Sequence, residues 1–484
     1  MKNIYTSKDG DSALQGLTAD EIRAMETAFE GAMEYRRSLP ERNARPTISL
    51  DEAAARFQGV LTDDGIAGRD VIQHMISNAD GGLHQMSAPS FFAYVLGASH
   101  PVGVAADILV SAWGQNAGSA YETPAVTGME RAVCDWVIEL LGLPAECGAG
   151  IVTGATVANT EGVMAARHSL LAAKGWDVEA KGLFGAPAFP VLIGADAHSA
   201  PFAALRYAGI GAETVRKVAT DSEGRIDVRD FEKALDECSE PPLVILQAGQ
   251  INTGGFDPFS ELIPKVREKG GWVHVDGAFG LWLAAVPELA DRLEGVADAD
   301  SWAVDLHKWL NAPFDAGMVI VRDRAPLVAS MSARGAYLPD TTKHWEPADS
   351  TLELSRRARG VPSYAILRHL GKSGVREMIS RHCSLAERVA STLSKESGLQ
   401  VLNEVHSNQV AIACGEGAEG DTLTKKVLER VQERGKVYPS HGVWQDRYII
   451  RVSVIGYAMT ENSVDLLTSE IIEAWRWVQE TSSA

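Results

Sequence analysis

The sequence describes an acidic chain of 484 residues, whose 64 acidic and 45 basic side chains give a net charge of −19. This excess of negative charge argues against nucleic acid or an anionic membrane as a partner. We find no run of about eighteen apolar residues, so we expect no membrane span, and the N-terminus lacks the apolar core of a signal peptide. Five cysteines without CxxC spacing indicate reduced thiols, a cytoplasmic location and no metal site.

The N-terminal region predicts an amphipathic helix that begins at a capping box. Thr18 and Glu21 have the required spacing, and Pro40 marks the end of the helix. Between them, apolar side chains recur on one helical stripe: Ile22, Met25, Phe29 and Met33. The polar segment that follows offers this stripe no core, so we expect residues 1–98 to form an arm that packs on another surface.

Strand-like and helix-like stretches then alternate from about residue 100 to residue 330. The strand-like runs lie at 150–153, 190–193, 243–246, 272–275, 302–304 and 318–321, with helical stretches such as 159–173 and 259–268 between several of them. This alternation predicts a largely parallel sheet that is covered on both faces. We assign it to a large domain of residues 99–355. A long helix and short strands beyond it predict an α+β C-terminal domain of residues 356–484.

A carboxylate and a lysine lie at the ends of two successive strands. Asp276 ends one apolar run, and Lys308 follows the next run, between His307 and Trp309. Because the carboxyl ends of such strands meet at one edge of a sheet, both side chains should face one cleft. Pyridoxal phosphate needs this pair: the lysine forms the Schiff base, and the carboxylate keeps the pyridine nitrogen protonated. A core or capping role for Asp276 and a surface position for Lys308 are the alternatives.

Two earlier strands end in motifs that suit the same cofactor. The small residues from Thr153 to Asn159 open a helix, where backbone N–H groups and the Thr156 hydroxyl can bind an anion. His198 follows the strand at 190–193 and is placed to stack on a planar ring. An ordinary glycine turn and a histidine bonded to backbone groups are the alternatives for each motif alone. The order of all four motifs along one domain favours a single site.

In this order the motifs resemble those of the group II pyridoxal-phosphate decarboxylases, which include aromatic L-amino-acid, tyrosine, histidine, glutamate and diaminobutyrate decarboxylases. The resemblance runs from about residue 85 to the C-terminus. It implies a fold-type I enzyme with a mostly parallel seven-stranded sheet in the large domain. It also implies a homodimer with its active site at the subunit interface, and decarboxylation of an L-amino acid to an amine and CO₂.

The resemblance further assigns the residues of the site. Lys308 is the Schiff-base lysine, Asp276 is the partner of the pyridine nitrogen, and His198 stacks on the ring; all three are expected to be catalytic. The other expected cofactor-binding residues contact the phosphate or the ring: Ala155, Thr156, Asn252, Ala278 and His307.

Tyr94 and Asn116 are the residues expected to bind the substrate. Asn116 and Gly118 stand where the aromatic-specific members of the family carry bulky apolar side chains. The sequence therefore gives little support to an indole-sized substrate and leaves room for a smaller or more polar one.

The loop before Arg356 departs from the family pattern. Many relatives carry there a tyrosine that protonates the substrate carbon after CO₂ leaves, whereas this chain has none between Leu338 and Arg356. His344 is the loop residue best suited to give a catalytic proton near neutral pH, and a solvated loop histidine is the alternative. Formation of an aldehyde by oxidation or transamination is therefore a second hypothesis, and a carbon–carbon lyase is a third.

Overall fold

Three groups of elements follow one another along the chain, whose computed structural model describes residues 16–332 and 345–482. The arm contains α1 (Ala19–Ser38), α2 (Leu50–Phe57), α3 (Gly68–Ala79) and β1 (Phe91–Phe92). The central part contains α4 (Pro101–Trp113), α5 (Pro124–Leu140), β2 (Gly148–Val152), α6 (Ala155–Ala172), α7 (Val178–Lys181), β3 (Val191–Gly194), α8 (Ser199–Tyr207), β4 (Val215–Val218), α9 (Val228–Asp236), β5 (Leu243–Gln247), α10 (Phe259–Glu268), β6 (Trp272–Asp276), β7 (Ser301–Asp305), β8 (Gly317–Val321) and α11 (Arg324–Met331). The C-terminal part contains α12 (Gly360–Leu393), β9 (Leu399–Val401), β10 (Gln409–Cys414), α13 (Gly417–Arg434), β11 (Tyr438–Trp444), β12 (Arg447–Ser453) and α14 (Glu461–Ser482).

Helix α1 begins at the predicted capping box. The Thr18 hydroxyl accepts a hydrogen bond from Glu21 N at 3.2 Å, and the Glu21 carboxylate accepts one from Thr18 N at 2.7 Å. Most of the apolar stripe of this helix stays uncovered within the protomer: Met25 and Phe29 are exposed, Ile22 is half-buried, and no residue of the helix is fully buried. An arm without a core of its own is what the sequence predicted.

The central sheet has seven strands in the order β2-β8-β7-β6-β5-β3-β4. Strands β3 to β7 pair in parallel, and β8 runs antiparallel to both of its neighbours. This confirms the mostly parallel seven-stranded sheet. The apolar runs predicted six of its strands but not β4. This strand lies at the edge of the sheet, and its sequence Val-Arg-Lys-Val has neither an apolar run nor an alternation of apolar and polar residues.

Both faces of the central sheet are buried, as predicted for a parallel sheet with helices on either side. Along β5, Val244 and Leu246 pack into one core with residues of α5, α9 and α10. Leu243 and Ile245 point the other way, into a core formed with α6 and α8.

The C-terminal part carries a second sheet of five strands, in the order β1-β11-β12-β10-β9. Strand β1 comes from the arm and pairs in parallel with β11, where Phe91 lies opposite Tyr438. Helices α12, α13 and α14 pack against this sheet in one apolar core, which confirms the predicted α+β character. The boundaries after residues 98 and 355 stay a prediction. In the described part of the chain, no helix is long and apolar enough to cross a membrane.

Candidate active site

A pocket of about 360 Å³ opens at the carboxyl ends of β5, β6 and β7, beside the turn that joins β2 to α6. Its wall contains seven of the eight residues that were expected to bind the cofactor: Ala155, Thr156, His198, Asp276, Ala278, His307 and Lys308. The parallel sheet brings these residues together from four separate segments, because successive strands end at the same edge.

Asp276 is the last residue of β6 and is only 4% exposed. Ala278 N donates a hydrogen bond to its Oδ1 at 3.2 Å. Burial raises the pKa of the Asp276 carboxyl, and the neighbouring His198 and Lys308 oppose that rise. A carboxyl group in such a place demands a positively charged or donating partner. The protonated nitrogen of a pyridine ring meets this demand.

Lys308 is held beside the same pocket by Asp305, a residue to which the sequence analysis assigned no role. The Lys308 Nζ atom lies 3.1 Å from Asp305 Oδ2. The other oxygen of this buried carboxylate accepts a hydrogen bond from Ala155 N at 2.6 Å. Asp305 thereby joins the lysine to the N-terminus of α6. Its position three residues before a strand-end lysine is the signal that could have revealed this contact.

The two histidines of the pocket are fixed by backbone amides. His198 Nδ1 accepts a hydrogen bond from Ala200 N at 3.2 Å, and His307 Nδ1 accepts one from Ala316 N at 3.1 Å. Since Nδ1 is the acceptor in both rings, Nε2 carries the proton of each neutral imidazole. Burial lowers the pKa of both histidines, so both rings are neutral near pH 7. The His198 backbone N–H donates to Gln247 Oε1 at 3.0 Å.

The turn before α6 fits a phosphate group. A Cβ at Gly154 would lie 3.0 Å from His307 Cε1 and 3.3 Å from Asp305 Oδ1, so a larger residue would fill the space beside the turn. The N-terminus of the 18-residue helix α6 opens on the pocket, which Ala155 and Thr156 line, and a negative charge is favourable there. A lysine, a buried carboxylate and this turn in one pocket fit pyridoxal phosphate.

Three other residues expected at the site do not line the pocket of the protomer. Asn252 is engaged between the two sheets, where its side chain donates to Val443 O at 3.3 Å and accepts from Arg451 at 3.4 Å. Asn116 accepts hydrogen bonds from Gly118 N and Arg356 N, at 3.2 and 3.0 Å.

Tyr94 lies next to Val95, which does line the pocket, and both residues have a left-handed backbone with φ of 61° and 55°. The Tyr94 ring contacts Tyr438 of β11 at a centroid distance of 6.5 Å. His344, the expected proton donor, lies outside the described residues.

Arg451 of β12 is a charged group near the pocket that the sequence analysis missed. It is 8% exposed, and its Nε has no hydrogen-bond partner within the described ranges. Burial is the main cause that lowers the pKa of His198, and the positive charge of Arg451 lowers it further, whereas Asp276 raises it. The signal was a lone arginine inside the apolar strand run Tyr-Ile-Ile-Arg-Val, which is an expensive place for a charge.

Known proteins share both the sequence pattern and the fold. The family model described as "Pyridoxal-dependent decarboxylase conserved domain" matches residues 62–414. The chain belongs to this family of pyridoxal-dependent decarboxylases. The enzyme is therefore a lyase that depends on pyridoxal phosphate and removes the carboxyl group of an amino acid, as the sequence predicted.

Individual relatives are similar over nearly their whole length. Tryptophan decarboxylase 2 of Oryza sativa subsp. japonica is 26% identical, over 96% of this chain and 96% of the relative. The 4-hydroxyphenylacetaldehyde synthase of Rhodiola rosea is 27% identical, over 93% of this chain and 92% of the relative. The crystal structure of Oryza sativa TDC with PLP and tryptamine has a TM-score of 0.88 at 22% identity, and the match covers 96% of this chain and 99% of that one. This likeness confirms the fold-type I class.

Replacing Asp276 tests whether its carboxylate stabilises the protonated ring nitrogen of the cofactor. In Asp276→Asn the amide no longer stabilises a protonated ring nitrogen, so we expect kcat to fall by roughly three powers of ten, or about 4 kcal/mol of barrier. Steady-state kinetics with saturating cofactor would measure this.

Asp300→Asn is the matched control for that variant. Asp300 also accepts a backbone hydrogen bond on this sheet, from Val273 N at 2.7 Å, but at the opposite end of the strands. A kcat for Asp276→Asn within tenfold of the wild type would leave Asp276 with a structural role alone.

Proposed function

We propose that Lys308 carries pyridoxal phosphate and that the enzyme converts an L-amino acid to its amine and CO₂. The observation that supports this most directly is the pocket in which Lys308, Asp276 and the N-terminus of α6 meet. When bound, the cofactor withdraws electrons from the bond that breaks. The residues of the chain supply position, charge and exclusion of water.

Each side chain of the pocket has a distinct task in this proposal. Asp276 pairs with the ring nitrogen, and the neutral His198 ring covers one face of the cofactor. The phosphate lies at the N-terminus of α6, beside the Thr156 hydroxyl, with His307 Nε2–H as a further donor. Asp305 keeps the Lys308 amine directed at the pocket, since its carboxylate lies 3.1 Å from Nζ.

Arg451 is the partner that we propose for the substrate carboxylate. A buried guanidinium without an ion pair in the described part of the chain favours an anionic ligand. Asn252 accepts a hydrogen bond from Arg451 and so orients it. This gives Asn252 a role at the site although it does not line the pocket.

The normal product is the amine in our first proposal, and an aldehyde is the second candidate. Two observations favour the second: the loop before Arg356 has no tyrosine, and a relative that is 27% identical is an aldehyde synthase. Aldehyde formation would consume one O₂ and one water for each amino acid, and release CO₂, ammonia and hydrogen peroxide. The two reactions are therefore separable by their products.

A panel of L-amino acids with mass analysis of the products tests the proposed function. We expect CO₂ and the amine from one small or polar amino acid, without oxygen uptake. Lys308→Ala should lose this turnover together with the visible absorbance of the bound cofactor. Peroxide and aldehyde in stoichiometric yield would select the second candidate, and full activity of the Lys308→Ala variant would exclude both.

Replacing Arg451 tests its proposed contact with the substrate. Loss of one hydrogen bond to a charged group costs about 1.5–3 kcal/mol, so Arg451→Gln should raise KM roughly 10- to 100-fold. Arg447→Gln on the same strand is the control, because the Arg447 guanidinium bonds to Gly415 O and Asp421 instead. Equal KM values for Arg451→Gln and the wild type would remove Arg451 from the substrate site.

We also propose that the enzyme is a homodimer in the cytoplasm. The arm presents several exposed apolar side chains that the protomer does not cover, among them Phe29 at 56% and Leu61 at 97%. A second copy of the chain is the partner that supplies a matching apolar surface by symmetry. All five cysteines are free thiols, which suits a reducing compartment.

Charge placed on the apolar stripe should separate the subunits. We expect the wild type to sediment as a dimer at micromolar concentration, and Met25→Glu/Phe29→Glu to shift toward the monomer with loss of activity. Phe184→Glu is the control, since Phe184 is 99% exposed but lies outside the arm. A fully active wild-type monomer would refute the dimer.

A further inference from the structure

Asp257 clamps the carboxyl end of β5, directly behind the active-site pocket. Its Oδ2 accepts a hydrogen bond from Gln247 N at 2.7 Å, and its Oδ1 accepts one from Ile226 N at 2.8 Å. Its own N–H donates to Gln247 O at 3.1 Å. Gln247 is thus bound through both of its backbone polar groups to a single residue that is 6% exposed.

The side chain of Gln247 continues this connection into the pocket. Gln247 lines the pocket and stands opposite Asp276 in the ladder between β5 and β6. Its Oε1 accepts the hydrogen bond from His198 N at 3.0 Å. A small cavity of about 10 Å³ is lined by Gln247, Asp257 and Asp276, so the two acidic residues border one gap of about the size of a water molecule.

The stability of the fold alone does not explain why a carboxyl group is buried at position 257. Burial raises the pKa of Asp257 to about 7, although the amides of Ile226 and Gln247 oppose this. The nearby Asp221 raises the pKa further and Arg225 lowers it, but Asp257 forms no ion pair with any described residue. Since its pKa is raised in the folded state, ionisation of Asp257 lowers the stability of the fold as the pH rises through about 7. A carboxylate nevertheless supplies two acceptors that reach two backbone amides at once.

We propose that Asp257 is a positioning residue for the cofactor: it fixes Gln247, and through Gln247 it sets the height of His198 over the ring. This inference rests on the proposed function, because it takes His198 as the residue that stacks on pyridoxal phosphate. Asp257 itself does not line that pocket. Its hydrogen bonds reach the site along the path Asp257–Gln247–His198.

The test compares three variants by their affinity for pyridoxal phosphate and by the visible circular dichroism of the bound cofactor. Asp257→Asn removes one of two acceptors, and a hydrogen bond of about 1.4 kcal/mol corresponds to a tenfold weaker Kd. Gln247→Ala should weaken Kd to a similar extent and change the dichroism in the same way. In the double variant the two losses should not add, since both interrupt one path.

Asp300→Asn again serves as the matched control and should change the melting temperature without changing Kd or the dichroism. Wild-type Kd and dichroism in Gln247→Ala would overturn the inference, even if Asp257→Asn did not fold. Additive losses in the double variant would also overturn it. Failure of the wild type to bind pyridoxal phosphate would instead refute the proposed function itself.

Discussion

A carboxyl group buried at the end of β6 sets the conditions for the rest of the site. Asp276 is surrounded by the ends of parallel strands, where few groups can compensate its charge. Burial raises its pKa, and the neighbouring His198 and Lys308 oppose that rise only in part. Lys308 pairs with Asp305, and His198 is a neutral ring. A ligand that brings its own protonated nitrogen to Asp276 is therefore stabilised here, and pyridoxal phosphate is such a ligand.

The parallel sheet explains how distant residues come to share this pocket. The parallel strands end at the same edge, and both faces of the sheet are filled by core, so polar side chains collect where these strands stop. The N-terminus of α6 adds a favourable position for an anion at that edge. Asp305 then connects this helix to Lys308, so that the sites we propose for the phosphate and for the carbonyl carbon of the cofactor share one carboxylate.

Much of this arrangement could be predicted because it depends on local sequence. The capping box at Thr18 and the helix Phe259–Glu268 came directly from residue spacing, and six strands of the central sheet came from apolar runs. Strand β11 was missed because its sequence, Tyr-Pro-Ser-His-Gly-Val-Trp, has a proline and a glycine and no apolar run. Strand β1 has two residues and forms only through its partner in the C-terminal sheet.

The rest of the site depends on contacts between distant segments, which no local pattern records. Arg451 approaches His198 across more than two hundred residues of sequence, and Asp257 acts on a strand end through backbone amides. Tyr94 and Asn116 were expected to bind the substrate but lie beyond the wall of the pocket in the protomer.

Attachment of the cofactor to one lysine is the central claim, and chemical reduction tests it most directly. The enzyme is incubated with pyridoxal phosphate, reduced with borohydride, digested and analysed by mass spectrometry. We expect a single phosphopyridoxyl group, on the peptide that contains Lys308, at close to one per chain. A label spread over several surface lysines, or a label on any residue other than Lys308, would contradict the function proposed for this enzyme.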